Sequence, residues 1–306
     1  MTTRDAGNPV AGSGEAGLDF TEQLRAAVKD RVTAGKVDLP LLPQVASQVV
    51  ALTANPTADA VQLSALIHRD PALAGQVLRI ANSPSYMPRM PIVSLQQAVA
   101  RLGLNAVTEI AFVASVQSGT FKVPGYEDEL KRLWRHAVAS AAFAKEIARI
   151  RRSNVEAAFL CGLLHAVGKP ALLQVVADAE RALERFRLAT EQTGHGATRA
   201  NLPAILDELH GGVGLRIAAL WGLPGPVVSA IANYACYEKT TGFAQEAVIT
   251  CLADRLATDL TEPGRFDEDT LRDHRVFKDL NLYPADVTVL RDKRARVAEI
   301  VDSMTA

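Results

Sequence analysis

Cysteine is scarce in this chain, aromatic residues are few, neither sign of charge is in excess, and no segment alternates apolar and polar residues with a period of two. Each shortage excludes something. The 3 cysteines, Cys161, Cys236 and Cys251, offer no pair at the CxxC spacing of a metal knuckle or redox centre; each sits in an apolar helical pattern and reads as a buried, reduced thiol. With 33 basic against 34 acidic residues, no net field draws the chain to nucleic acid or an anionic membrane. No basic recognition helix stands out either, so DNA binding is set aside. The basic residues between positions 181 and 187, and between 291 and 296, alternate with acidic or apolar ones, as on a solvated helix face. Aromatics make up 5%, and Trp134 and Trp221 read as core anchors rather than stacking platforms. Without a period-two pattern a sheet is not expected. There is no glycine-rich phosphate loop, no Ser-His-Asp arrangement, and no apolar run approaching the roughly 20 residues that span a bilayer. Residues 1–19 carry Asp5, Glu15 and Asp19 among Gly and Ala; they read as a disordered tail and not as a secretory signal. A cytoplasmic location follows by elimination.

What is present is helical. At 306 residues and 48% hydrophobic, the chain can bury a substantial core without staples. A first helix is expected over about 20–32, then an extended connection enforced by Pro40 and Pro43. Val45, Val49 and Leu52 mark the next helix, and Val61, Leu63, Leu66 and Ile67 another. Asp70 followed by Pro71 starts a third by capping and a preset φ, ending at Asn82, Ser83 and Pro84. Ser94 with Gln97 forms a capping box for a helix running to Gly103, and a further helix covers 105–116. Residues 121–129 connect to a second unit, where Leu130, Leu133, Trp134, Ala137, Val138 and Ala141 make one helical stripe and His136, Phe143 and Ile147 a neighbouring one.

The stretch 159–170 is the most informative. Ser153 and Glu156 read as a capping box, Phe159, Leu160, Leu163 and Leu164 make the helix apolar nearly all round, and a helix of that kind belongs in a core. Gly168 suits a left-handed C-cap, with Pro170 in the first turn of the next helix. Leu206, Leu209, Val213, Ile217 and Leu220 then line a helix that contains His210 and stops at Gly222. Pro226 opens a shorter one ending near Tyr234, and residues 243–260 a further one carrying Asp254. Residues 267–304 read as two surface-packed helices. His68, His195 and His274 are expected to be solvated.

Four motifs in order resemble a known family. Leu39, Pro40 and Pro43, then Ile67, Asp70, Pro71 and Leu73, then Leu78, Asn82 and Ser83, then Ser94, Ala98 and Gly103 look like the successive signatures of the HDOD domains, relatives of the HD metal-dependent phosphohydrolases. The resemblance covers about 39–254 and implies an all-α, multi-helix HD-like bundle (125–306) behind an N-terminal helical subdomain (20–124).

An active HD site is implied to use a His, then a His-Asp pair, then a distant Asp as ligands to one or two metals that acidify a water. Placed on this sequence, these are His136, His165 with Ala166, and Asp254. Alanine cannot ligate a cation. His210 resembles an additional histidine of the cyclic di-GMP-cleaving HD-GYP branch, but the next histidine of that branch falls near Tyr234, and no Gly-Tyr-Pro tripeptide occurs. The expectation is a degenerate metal site with no cofactor and no catalytic residue; if a metal binds, its ligands are His136, His165 and Asp254. The function implied is non-enzymatic signal transduction through proteins such as sensor kinases, receivers or cyclic di-GMP modules. Two alternatives stay open: a divergent metal-dependent phosphohydrolase, and a sensor of the cyclic di-GMP type that binds a nucleotide without cleaving it, for which Arg79, Arg89 and Arg101 around Asn82 are the only basic cluster.

Overall fold

The computed structural model describes residues 13–53, 59–86, 90–189, 198–240, 242, 244–264 and 275–305, and among these there is no strand. The all-α expectation holds. The chain runs α1 (Ser13–Thr33), α2 (Gln44–Thr53), α3 (Ala60–Ile67), α4 (Pro71–Ala81), α5 (Leu95–Leu102), α6 (Leu104–Gly119), α7 (Glu127–Arg151), α8 (Val155–Leu164), α9 (Gly168–Ala189), α10 (Thr198–Trp221), α11 (Gly225–Asn233), a 3-10 turn (Tyr234–Lys239), α12 (Ala244–Thr261), α13 (Val276–Asp279), α14 (Pro284–Asp292) and α15 (Arg294–Thr305).

Local chemistry explains the N-terminal helices. Asp70 accepts hydrogen bonds from the amides of Ala72 and Leu73 at 3.0 and 3.1 Å, with Pro71 at the first helical position; this satisfies two of the amides a helix start leaves open. Ser94 accepts from Gln97 N–H at 3.2 Å, while the Gln97 side chain reaches back to Val93 N–H at 3.0 Å. Asn82 clamps the connection between α4 and α5, donating to the carbonyls of Leu78 and Ile92 and accepting from Ile92 N–H. Gly103 turns the chain into α6 at φ 88°, a left-handed value that favours glycine.

Beyond α6, α7 is the long axis, 25 residues opening with Glu127, Asp128 and Glu129 at the positive end of its dipole. Its inner face is rich in alanine, so α8 lies against it at backbone contact: a Cβ on Gly162 would stand 2.7 Å from the Ser140 carbonyl oxygen. α12 packs along α7 and α8, α10 along α9, and α15 along α7. α1 lies on α9 and α10, with an Arg25–Glu208 ion pair and a hydrogen bond from Arg216 to the Gly35 carbonyl. Trp221 is 9% exposed and donates to the Pro40 carbonyl at 2.8 Å, and Trp134 is 8% exposed; both are the core anchors expected.

Several local expectations are corrected. The first helix reaches back to Ser13, into the stretch read as a tail; no proline falls between Pro9 and Pro40 to stop it. The cap of α8 is Asn154, whose side chain accepts from Ala157 N–H at 2.9 Å. Arg152 closes α7 at φ 51° and Ser153 N–H returns to the Ala148 carbonyl, so Ser153 belongs to the preceding C-cap. Cys161 and Cys251 are buried, but Cys236 is exposed, because the backbone kinks there (φ −139°, ψ 48°) between buried Tyr234 and Tyr237. Among the described residues of the C-terminal segment, 275–305, there are three short helices rather than two. Residues 155–185 are, by length and composition, apolar enough to cross a membrane, contrary to the expectation that no run approached that length. In the fold 78% of their most apolar window is buried, and the turn at 165–167 divides them into α8 and α9. His68 is exposed, as expected; His195, His274 and Arg89 lie outside the described residues.

α6 faces α7 and α8 through polar pairs, Glu109 with Lys145 and Asn105 with Glu156. Lys145 donates to both oxygens of Glu109, at 2.7 and 2.6 Å, with the two side chains 18% and 12% exposed. Burial pushes the Glu109 carboxyl up against the lowering pull of Lys145, so desolvation outweighs attraction in this pair. Removing one partner of such a pair costs more than removing both. We expect Lys145→Met to cost ~2–4 kcal/mol and Glu109→Gln, added to it, to recover over half of that loss. A urea-unfolding double-mutant cycle measures it, and strict additivity would contradict this account.

Candidate functional site

Five elements converge on one polar cluster. His136 comes from the middle of α7, His165 from the turn after α8, His210 from α10, Tyr234 from the end of α11, and Asp254 from α12. His165 is delivered because α8 is apolar on all sides and must be buried, and its ring is 0% exposed.

The centre is Asp254. Its Oδ1 accepts from His136 Nε2 at 2.9 Å and faces His165 Nε2 at 3.0 Å. Burial alone would push this carboxyl up, but the hydrogen bonds and charge of the two imidazoles outweigh it and hold Asp254 well below the usual carboxylate range. His165 Nδ1 donates to the Gly162 carbonyl at 2.8 Å. Both nitrogens of His165 therefore face oxygen acceptors, and the Nε2 side needs either a proton or a cation between the two groups. The ligand atoms of His136, His165 and Asp254 lie within 4.8 Å of one another, and no other group of three or more His, Cys, Asp or Glu among the described residues meets that description.

Tyr234 is the other half of the site. Its ring meets His165 edge-on at 4.7 Å between centroids, and its hydroxyl lies 3.1 Å from His210 Nε2. His210 Nδ1 faces the carbonyls of Leu206 and Asp207 at 3.0 and 3.1 Å. Nδ1 is thus the donor, and Nε2 accepts from Tyr234. Burial, then the charge of Lys169, pushes His210 toward its neutral form, and burial with nearby Asp254 pushes the Tyr234 phenol up. The two keep complementary roles, Tyr234 as donor and His210 as acceptor.

Every site position read from the sequence is accounted for. His136, His165 and Asp254 come together, His210 and Tyr234 join them, and Ala166 is half-buried in the turn beside His165. The family-motif positions do not reach the site: Asp70 and Pro71 start α4, Asn82 is a clamp, Pro40 receives Trp221, Pro43 precedes α2, the Ser83 hydroxyl is buried without a partner, and Gly103 is a turn. Arg101 donates to the Met90 carbonyl, so it is no free phosphate ligand. Sequence reasoning missed Lys169, which pairs with Asp207 at 2.7 Å beside His210. Its place four residues after His165, within the stretch 159–170, was the available signal.

Burial and geometry describe a cluster of three histidines, a tyrosine and an aspartate inside a helical bundle. The HDOD domain pattern matches residues 39–236, ending short of Asp254. An uncharacterized protein of Treponema pallidum (strain Nichols) is 27% identical over 214 residues, which are 69% of this chain but 39% of that protein, so the chain spans about two fifths of that relative's length. An HDOD domain protein of unknown function from Geobacter sulfurreducens superposes with a TM-score of 0.69 at 22% identity, covering 94% of this chain and 99% of the other. A candidate phosphohydrolase from Shewanella amazonensis SB2B gives 0.64 at 20%, covering 91% and 98%. A candidate signal transduction protein from Marinobacter aquaeolei VT8 gives 0.64 at 23%, covering 96% of this chain and 67% of that one. At such identities the superpositions establish the fold. The pattern over 39–236 establishes more: this chain belongs to the HDOD domain family.

Proposed function

We propose that this HDOD protein is a regulatory component of signal transduction that works by binding other proteins and does not hydrolyse phosphate esters. The observation that carries this reading is the state of the site's carboxylates. Ala166 stands where the HD pair needs an oxygen donor, and the one carboxylate left, Asp254, holds two imidazoles through a single oxygen. Tyr234 packs on His165 and binds His210, so the third histidine is engaged away from the other three groups. The Marinobacter protein's description as a signal transduction protein and family resemblance favour sensor kinases, receivers or cyclic di-GMP proteins as partners. Incubation with manganese, iron(II) or cobalt and either cyclic di-GMP or bis(p-nitrophenyl) phosphate is expected to give the same background rate for this chain and for His136→Ala. Turnover that disappears with His136 would defeat the proposal.

A second reading has its own observation. Two imidazoles and a carboxylate with convergent ligand atoms are a donor set that suits zinc or iron(II) with open positions, and the Gly162 carbonyl fixes the His165 tautomer as a metal ligand's neighbour does. A divalent ion there would acidify a bound water; without a second carboxylate, one ion at most is held. Metal analysis of the purified protein decides: one ion per chain, lost on His165→Ala, supports this reading.

A further inference from the structure

Away from the histidines, a groove of about 470 Å³ lies between the end of α6, the connection at 120–126, the first turns of α7 and the end of α15. Another concavity, between α2, α6 and α8, is about 30 Å³ and has room for little more than a water. The floor of the larger groove is aromatic, with Phe121 and Trp134 rings 6.1 Å apart. Trp134 is 8% exposed, yet its Nε1–H has no hydrogen-bond partner, and the Gln117 side-chain amide nitrogen in the same lining is also buried and unpartnered. A buried polar group without a partner is rare in folded proteins and calls for an explanation. On the rim stand Lys122 and Lys131, both exposed. Glu127 is the acidic residue there, and both its oxygens receive the Gly125 N–H at 3.1 Å.

The unpartnered nitrogens belong to side chains that line this groove, and its rim carries two cations. The two buried groups are neutral donors that suit a carbonyl, the two rim groups are cations that suit a carboxylate, and the floor between them suits a large apolar side chain. A peptide in which an acidic residue neighbours an apolar one supplies all three from adjacent residues. We propose that this groove docks an extended segment of a partner protein with an aromatic or aliphatic side chain beside an aspartate or glutamate. The inference rests on the association reading and gives it a surface: Trp134 is the buried anchor and the lysines set charge preference, the usual division between interface centre and rim.

The test uses the whole chain and a fluorescein-labelled, C-terminally amidated hexapeptide, Gly-Asp-Leu-Phe-Asp-Gly, followed by anisotropy. Saturable binding is expected, weakened at least ~10-fold by Lys122→Glu with Lys131→Glu, and not competed by the peptide carrying lysine in place of aspartate. Trp134→Phe keeps an aromatic floor and removes the N–H, and is expected to weaken binding about 3- to 10-fold; the exposed lysine variants keep the question answerable if that variant unfolds. Absence of saturable binding, or binding indifferent to the lysine reversals, would overturn the proposal, as would displacement by phenylacetate at equal concentration, which would mark a small-acid pocket. The hydrolysis assay on the same preparations separates the two ideas. Turnover sinks the association reading whatever the peptide does, and an inert chain that ignores the peptide sinks the groove alone.

Discussion

Gly168→Ala is expected to destabilise the fold by about 3 kcal/mol or more, read as a fall in the urea midpoint at unchanged slope. The added Cβ would stand 2.1 Å from the His210 carbonyl oxygen and 2.7 Å from the Gly214 amide nitrogen. Both are backbone atoms of α10, so no side chain can swing aside and the start of α9 must part from α10. That separation pulls at the His210–Tyr234 hydrogen bond and at the Lys169–Asp207 pair, so the site loosens together with the packing. The control lies within the same contact. Gly211 and Gly212 have ordinary helical φ and nothing within 4 Å of an added Cβ. Alanine there removes backbone freedom from the unfolded chain and should stabilise by roughly 0.5–1 kcal/mol each. Opposite signs from Gly168 on α9 and from the two glycines next to its contact on α10 test the close-approach account; a Gly168→Ala loss below about 1 kcal/mol would show that α9 and α10 part easily.

Gly168 also marks the boundary of what the sequence made legible. The Asp70 and Ser94 caps, the Pro43 break and the helical stripes were readable because their causes lie within four residues of their effects. Gly168 carried the local signal of a left-handed cap, yet it has no positive φ and opens α9. A glycine needed for backbone proximity and one needed for a turn look alike in one dimension, and the partner that distinguishes them, His210, is over forty positions away. Asn154 took the cap from Ser153 because Arg152 closes α7 in a left-handed conformation, a choice a capping pattern does not register. The site divides the same way. His136, His165 and Asp254 were placed by resemblance, and the geometry brings them together. Tyr234 entered only as a missing histidine, whereas the fold makes it a partner, packed on His165 and donating to His210. Its role depends on α10 and α11 meeting α8, which no local pattern encodes.

Ala166→Asp is expected to tighten binding of Mn²⁺ or Zn²⁺ at least ~10-fold, since affinity rises with the number of charged ligands in a preformed set. Ala166 is half-buried in the turn directly after His165, so a carboxylate there has room to turn. The same change works against the metal-free protein. A second carboxylate would stand near Asp254, which the two imidazoles keep charged, and like charges in a partly buried site repel. The variant should melt below the parent chain in EDTA and regain the difference as metal is added, because an ion that binds only the folded state stabilises it by mass action. The parent chain should show little response to the same titration. If both proteins respond alike, His136, His165 and Asp254 already hold an ion without help and the second reading of the site gains. If neither responds, the side chain at position 166 faces away from the cluster, and the loss of the HD carboxylate is not what silences this site.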